Sequence, residues 1–224
     1  MDRRFLGIVG AIIIIFVVIF AITQKSGNNG SNNSSTAQPT NHIEGQNSAG
    51  VTLVEYGDYE CPICEEYYSP LKQAVTPLLP QIHFQFRNLP LSAVHPNAFA
   101  AARAAEAASL QGKFWQMHDA LYENQNQWIP PASNPLSFFD KYAQQIGLNV
   151  NQFNSDYSSS KVNDAINADL AAFAKTGKPQ ATPTFFLNGK YLDNTTLVDP
   201  STGLPTAAKI TAAIQNAINQ KKNT

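Results

Sequence analysis

The chain has 224 residues, 43% of them hydrophobic, which is enough to build one domain with a sizeable core. Its 15 basic and 16 acidic side chains give a formal net charge of −1, so the composition offers no basic face of the kind that binds nucleic acid. The 2 cysteines stand three positions apart, and a pair that close makes a poor structural staple, which excludes a disulfide-stabilised scaffold and favours an enzyme.

The N-terminal segment from Phe5 to Ile22 is an apolar run interrupted only by two glycines. As a helix it would be roughly 27 Å long, close to the thickness of a bilayer core. Arg3 and Arg4 precede the run, and the positive-inside rule then leaves the N-terminus in the cytoplasm and the rest of the chain outside. We therefore expect residues 1–23 to hold a single-pass anchor in the cell membrane. A cleaved signal peptide is the alternative, and it would export the domain equally.

Residues 24–48 are rich in Asn, Ser, Gly and Gln and nearly free of large apolar side chains. Such a segment buries too little surface to offset its chain entropy, which predicts a flexible linker. The folded domain is accordingly expected over 49–224.

The first part of this domain alternates between strand and helix patterns. A β-rich run from Val51 to Tyr56 predicts a strand, and Cys61 to Val75 predicts a helix that opens with Pro62 and is kinked at Pro70. The alternating run from Ile82 to Arg87 predicts a second strand. Strand, helix and strand over this length form a βαβ unit, whose strands are parallel.

The middle of the chain is predicted to be helical, with an insertion over about 96–176. Helical spacing is seen over Asn97 to Leu110, Lys113 to Glu123, Leu136 to Ile146, and Val162 to Phe173, with a loop over Asn124 to Pro135. Asn188-Gly189 between Thr184 to Leu187 and Lys190 to Leu192 predicts a β-hairpin with a type I′ turn. A last helix carries Ile210, Ile214 and Ile218 on one face.

The sequence Cys61-Pro62-Ile63-Cys64 lies between the first strand and the helix that follows it. The unpaired N–H groups and positive dipole end of a helix N-terminus favour a thiolate, the form that attacks disulfides. We assign Cys61 as the exposed attacking sulfur and Cys64, one turn further on, as the sulfur that resolves a mixed disulfide. A metal site and two unremarkable thiols are the alternatives, but a closed zinc site needs about four ligands and this motif supplies two.

Acidic neighbours oppose this arrangement, because negative charge raises the pKa of a thiol. They are Glu55, Asp58, Glu60, Glu65 and Glu66. The intervening Pro62 and Ile63, which would tune the site, place no cation between the cysteines.

Taken together, these residues resemble the DsbA-like branch of the thioredoxin superfamily. The resemblance rests on Val54 to Cys64, on His95-Pro96-Asn97 opening an Ala-rich helix, on Lys113-Phe114-Trp115, and on Gly177 to Tyr191 around Thr182-Pro183. It covers roughly Ala49 to Gln220 and implies an α/β thioredoxin fold with an inserted helical domain.

The resemblance also implies roles for individual residues. Pro183 should follow a cis peptide bond and face the cysteines, and the backbone of Thr182 should pair with a bound peptide. Glu55 matches an acid that the family buries beneath the active site, where it would exchange protons with Cys64. One departure is Ile63, which stands where strongly oxidising members carry His.

The leading functional hypothesis is an extracytoplasmic enzyme that donates the Cys61–Cys64 disulfide to unfolded or reduced exported polypeptides. A membrane thiol oxidase would reoxidise the pair, the enzyme would act as a monomer, and no metal or other cofactor would be needed. A disulfide reductase or isomerase is the alternative within the same chemistry. A tethered metal-binding module and a non-catalytic peptide-binding adaptor are alternatives of other classes.

Overall fold

The computed structural model describes residues 37–129 and 134–223, which fold into a mixed sheet and a block of helices. The strands are β1 His42–Glu44, β2 Val51–Gly57, β3 Ile82–Asn88, β4 Thr184–Leu187 and β5 Lys190–Leu192. The helices are α1 Pro62–Val75, α2 Ala98–Ser109, α3 Phe114–Glu123, α4 Gln125–Trp128, α5 Leu136–Gln145, α6 Val150–Tyr157, α7 Ser160–Ala174 and α8 Ala207–Lys222.

The strands lie in the order β1-β3-β2-β4-β5, so β2 is at the centre of the sheet. Strands β2 and β3 are parallel, with Val51 opposite Ile82, which confirms the predicted βαβ unit. The other neighbouring pairs are antiparallel. Because β2 is covered on both faces, a polar side chain on it is carried into the interior rather than into solvent.

Helices α1 and α8 share one apolar cluster with the sheet. Ile210, Ile214 and Ile218 of α8 are buried there, as their spacing of four predicts. Leu71 of α1 belongs to the same cluster. Helix α1 passes through Pro70 and ends at Val75. This packing holds α1 firmly, and with it the N-terminus that carries the cysteine motif.

The predicted helical insertion is confirmed and runs from α2 to α7. Helix α2 is central to it, and most of its alanines are fully or almost fully buried. Short side chains of this kind let neighbouring helices approach closely. Phe114 is buried in the same cluster, whereas Trp115 is only partly buried against it.

The hairpin between β4 and β5 is also confirmed. Asn188 and Gly189 both have positive φ, 51° and 75°, as a type I′ turn requires. The Asn188 side-chain oxygen accepts a hydrogen bond from the Thr52 backbone N–H at 2.9 Å, which ties the turn to β2.

The predicted boundary between linker and domain at 48/49 needs correction, because β1 lies within the predicted linker and pairs with β3. Polar contacts hold this segment. Both carboxylate oxygens of Asp169 accept hydrogen bonds from Thr40, and His42 meets Glu106 at 2.8 Å. Composition could not reveal a strand held in this way.

Two helices also lie where none was predicted. Helix α4 falls within the predicted loop from Asn124 to Pro135, and α6 lies in a stretch with only one buried residue, Phe153. An apolar pattern that sparse is too weak to be recognised as helical.

The predicted anchor over residues 5–22 lies outside the described residues. In residues 37–129 and 134–223, no helix has both the length and the apolar character needed to cross a bilayer.

Candidate active site

The two cysteines lie at the junction of β2 and α1. Cys61 is the N-cap residue of α1, with Pro62 in the first turn, and Cys64 lies inside the helix. In this structure both are free thiols. The helix start was therefore predicted within one residue, since proline fits the first helical turn, where its missing N–H costs no hydrogen bond.

The prediction that Cys61 is exposed needs correction. Its relative accessibility is 5%, against 0% for Cys64. Its neighbours in the motif are open to solvent, and Ile63 is 45% exposed. Cys61 is thus the more accessible of the two cysteines, although it is itself buried.

The Thr182–Pro183 segment lies against Cys61. The peptide bond between the two residues is cis, as the resemblance implies. The Cys61 Sγ is 3.5 Å from the Thr182 carbonyl oxygen. Asn194 holds this segment by donating a hydrogen bond to the Pro183 carbonyl at 2.8 Å. Two residues predicted to contact substrate, far from Cys61 in sequence, thus lie beside its sulfur.

The environment of Cys61 lowers the pKa of its thiol to about 6, chiefly through a hydrogen bond from the Cys64 thiol. Burial acts in the opposite direction, while the Thr182 side chain and the backbone N–H groups of Cys64 and Ile63 help to lower the pKa. The Thr182 hydroxyl is buried and has no other partner among the described residues, so it is available to the thiolate. Hydrogen bonds therefore outweigh the increase in the Cys61 pKa that was expected from the acidic neighbours.

Cys64 and Glu55 are both buried and interact electrostatically. Burial, followed by the interaction with Cys61, raises the pKa of the Cys64 thiol well above its usual value. Burial and the negative charge of Cys61 raise the pKa of Glu55 to about 8. Glu55 is 3% exposed on the central strand, as the resemblance implies. A carboxyl group with this pKa can both accept and donate a proton near neutral pH, which its predicted role with Cys64 requires.

Two acidic residues that were considered only as charges prove to be structural. Asp58 accepts hydrogen bonds from the backbone N–H groups of Glu60 and Leu91 and lies 2.8 Å from Nδ1 of His95. Glu60 accepts a hydrogen bond from the backbone N–H of Asn97. These contacts hold the loop before α2 against the cysteine motif. The carboxylates of Asp58 and Glu60 thus form hydrogen bonds with this loop and not with the Cys61 sulfur.

Gln125 is a site residue that the sequence did not reveal. Its side-chain N–H group donates to the carbonyls of Tyr59 and Cys61 at 2.9 and 3.0 Å. Gln125 thereby ties the helical insertion to the backbone of Cys61. No spacing rule could have found it, because it lies in a short helix within a stretch predicted to be a loop.

Alkylation of Cys61 should follow its low pKa. We expect the rate of reaction of the reduced protein with iodoacetamide to rise with pH to a midpoint near 6, because only the thiolate reacts. Cys64→Ala removes the hydrogen bond that contributes most and should move the midpoint upward. Rate measurements over a wide pH range, with mass spectrometry to locate the adduct, check both points. A midpoint near about 8.5, the value of a free cysteine, would contradict this account.

The thioredoxin family profile matches residues 37–202. Among solved structures, the fold is shared with alpha-DsbA1 of Wolbachia pipientis, at a TM-score of 0.65 and 19% identity, over 84% of this chain and 95% of that one. BdbD from Bacillus subtilis in its oxidised form is similar at a TM-score of 0.64 and 22% identity, over 82% and 97% of the two chains. A thioredoxin-like oxidoreductase from Silicibacter pomeroyi is similar at a TM-score of 0.62 and 23% identity, over 84% of this chain and 95% of that one.

The curated proteins with similar sequences are named as antiporters, unlike the solved structures. A protein named Na(+)/H(+) antiporter NhaA 1 from Mycolicibacterium vanbaalenii is 34% identical over 199 residues, and one from Salinispora arenicola is 37% identical over 154 residues. The matches cover 84% and 66% of this chain but only 31% and 22% of those relatives, so the chain spans at most about a third of their length. With the family profile covering most of the chain, the protein belongs to the thioredoxin family, and its fold is that of the DsbA-type members.

Proposed function

We propose that this protein is an extracytoplasmic thiol–disulfide oxidoreductase that introduces disulfides into exported proteins through Cys61 and Cys64. The observation that carries the proposal is the asymmetry of the pair. The pKa of the Cys61 thiol is lowered to about 6, and the pKa of the buried Cys64 thiol is raised beside a carboxyl group. A low pKa suits Cys61 as the attacking sulfur, and a carboxyl group that can take its proton suits Cys64 as the resolving sulfur.

The reaction begins with the pair oxidised. A client thiolate attacks the Sγ of Cys61, the Cys61–Cys64 bond breaks, and Cys64 leaves with the electron pair and takes a proton from Glu55. A second thiolate of the client then attacks the client sulfur of the mixed disulfide. Cys61 departs as a thiolate, which its low pKa favours. The client has lost two electrons, the cysteine pair has gained them, and a membrane thiol oxidase would accept them in turn.

Client binding is proposed to use Thr182 and the exposed surface around the motif. An extended client segment would pair with the backbone of Thr182 as an added strand, with its sulfur directed at Cys61. Ile63, large, apolar and 45% exposed, lies next to the attacking residue and suits an unfolded client. Such clients are reduced polypeptides whose apolar side chains are not yet buried.

The proposed location is the outer face of the cell membrane, with the enzyme a monomer anchored through residues 5–22. The apolar run and the two preceding arginines support this orientation. An anchor would also keep the pair close to its reoxidant. The antiport activity named for the sequence relatives is not extended to this chain, because the chain matches only 31% of the first of them.

The reduction potential separates a disulfide donor from a reductase. The pKa of Cys61, about 6, lies between the values of about 7 for thioredoxin and about 3.5 for DsbA. We therefore expect a potential above the roughly −270 mV of thioredoxin and below the roughly −120 mV of DsbA. The measurement is equilibration of the full-length chain in detergent with glutathione buffers.

A value above about −200 mV would support the disulfide donor. A value near or below about −250 mV would contradict it and identify a reductase instead. Tight metal binding by the reduced cysteine pair, without any disulfide exchange, would contradict both the disulfide donor and the reductase. In the described part of the chain, no group of three or more His, Cys, Asp or Glu side chains is arranged to bind a metal.

A further inference from the structure

A cavity of about 210 Å³ lies between the sheet, α1 and α3 and reaches the buried carboxyl group of Glu55. Its outer end is formed by exposed residues of α1 and the following turn, Lys72 and Thr76. The cavity has room for several water molecules, and water occupies such a space when polar groups line it. It therefore connects a buried titratable group with the protein surface.

Two polar groups in the wall of this cavity lack a hydrogen-bond partner among the residues that the structure describes. Nε2 of His118 and the hydroxyl of Tyr122 are buried, and neither forms a hydrogen bond within the described residues. Nδ1 of His118 lies 3.2 Å from the Asp119 carboxylate, and burial lowers the pKa of the ring. The neutral ring thus donates through Nδ1 and leaves a lone pair on Nε2. Buried polar groups without a partner are rare and are usually satisfied by water.

The Tyr122 hydroxyl lies at the inner end of the cavity. A methyl group placed on Gly57 would come within 3.0 Å of this oxygen. Residues 55 and 57 of a strand face the same side of a sheet, so the Tyr122 hydroxyl and the Glu55 carboxyl share one face of β2. The charges of Cys64 and Glu55, after burial, raise the pKa of Tyr122, which remains a neutral donor and acceptor.

Glu55 is 3% exposed on β2, and no described side chain forms a hydrogen bond with its carboxyl group, so a proton on it needs a path to solvent. Each round of exchange at Cys64 adds or removes one proton there. The other titratable or charged groups around the cavity and its inner end are Glu44, Asp58, Tyr59, Cys64, Tyr68, Lys72, Asp119 and Glu123. At the mouth, Lys72 pairs with Asp119 at 2.8 Å and with Glu123 at 3.4 Å, so one cation faces two carboxylates.

We propose that this cavity is the path by which protons pass between Glu55 and solvent, with Tyr122 and His118 holding a line of water molecules along it. The inference rests on the proposed exchange at Cys61 and Cys64. During resolution, the Cys64 thiol gives its proton to the Glu55 carboxylate, and its sulfur attacks the Cys61 sulfur and releases the client thiolate. The proton then leaves Glu55 through the cavity. In disulfide donation the same proton travels inward.

The test separates the two steps of exchange. The reduced protein is mixed with oxidised glutathione and quenched with acid, and mass spectrometry follows the mixed disulfide at Cys61. Its formation is second order and needs only the Cys61 thiolate, whereas its decay is first order and needs proton transfer from Cys64. Tyr122→Phe removes one oxygen atom, and His118→Phe keeps an aromatic ring without its nitrogens.

We expect both variants to slow the decay about tenfold, while formation and the equilibrium with glutathione stay within about twofold. The matched control is Tyr142→Phe, which removes a hydroxyl that is also buried and unpartnered in the described structure but lies in α5, away from the cavity. Its decay should remain at the wild-type rate. If His118→Phe does not fold, Tyr122→Phe decides alone.

Decay at the wild-type rate in Tyr122→Phe would overturn the inference, as would equal slowing in Tyr142→Phe. A wild-type protein that forms no mixed disulfide at all would instead overturn the proposed function. The two failures are therefore distinct.

Discussion

Replacing Cys61 with serine will abolish disulfide exchange, with a loss of at least about a thousandfold in the rate of oxidation of a reduced client protein. A serine hydroxyl neither forms a disulfide nor ionises near neutral pH. Cys64 cannot take over the attack, because it is 0% exposed and burial raises the pKa of its thiol well above the usual value. The measurement is oxidative refolding of reduced ribonuclease A, followed by its recovered activity.

Cys64→Ser should give a different defect in the same assay. Cys61 remains able to attack, but no second sulfur is present to release the client, and mixed disulfides accumulate. Non-reducing electrophoresis of the variant after incubation with a disulfide-containing client shows them as a larger species. Because these are the only 2 cysteines in the chain, the adduct can form only at Cys61.

The matched control is Ser69→Ala, an exposed substitution in the same helix, which should leave the rate unchanged. Urea unfolding of each variant establishes that the fold is retained. A Cys61→Ser protein that still exchanges disulfides, or mixed disulfides formed by Cys64 in its place, would show that the roles of the two sulfurs are wrongly assigned.

The roles that were predictable from sequence are those fixed by local rules. Pro62 in the first helical turn after a β-rich run places Cys61 at a helix N-terminus, and the helix N-terminus in turn favours the thiolate. Asn188-Gly189 determines the hairpin because few residue pairs accept two positive φ angles. In both cases the information lies within a few neighbouring residues, so no knowledge of the fold is needed.

The features that sequence could not provide depend on distant partners. The pKa of Cys61 is lowered by hydrogen bonds, one involving Thr182, 121 positions away, whereas the sequence offered a helix N-terminus and nearby acids with opposite effects on this pKa. Asp58 faces His95 and the loop before α2 instead of the thiols. Strand β1 is held by Asp169, a residue 129 positions from Thr40. A charge or a polar side chain has a direction, and the direction is set by the tertiary fold.

Glu55→Gln should stabilise the reduced protein by several kcal/mol at about pH 9 and change its stability little at about pH 4. Burial, with the charge of Cys61, raises the pKa of Glu55 from 4.5 to about 8. Between these pH values the folded protein keeps a proton that the unfolded chain has released, so wild-type stability falls as pH rises through this window. Above about pH 8 the folded protein carries the full cost of a buried carboxylate, which glutamine does not incur.

Urea unfolding of the two reduced proteins at intervals across this pH range measures the difference. Glu66→Gln is the matched control, because it makes the same chemical change at an exposed position of α1. A difference between wild type and Glu55→Gln that stays constant over the range would contradict the raised pKa. In the oxidised protein the Cys61 thiolate, the second cause of the raised Glu55 pKa, is gone. The folded-state pKa of Glu55 should then be lower, and the pH range over which stability falls should end at a lower pH.

The same variant should exchange disulfides more slowly, since glutamine cannot take the proton of Cys64. If one substitution raises the free energy of unfolding and lowers the rate of disulfide exchange, Glu55 serves the reaction although it destabilises the fold. A solvated strand residue would change neither quantity. The burial of a carboxyl group on the central strand, beneath a thiol that must lose its proton, is therefore the feature by which the fold and the proposed chemistry can be tested together.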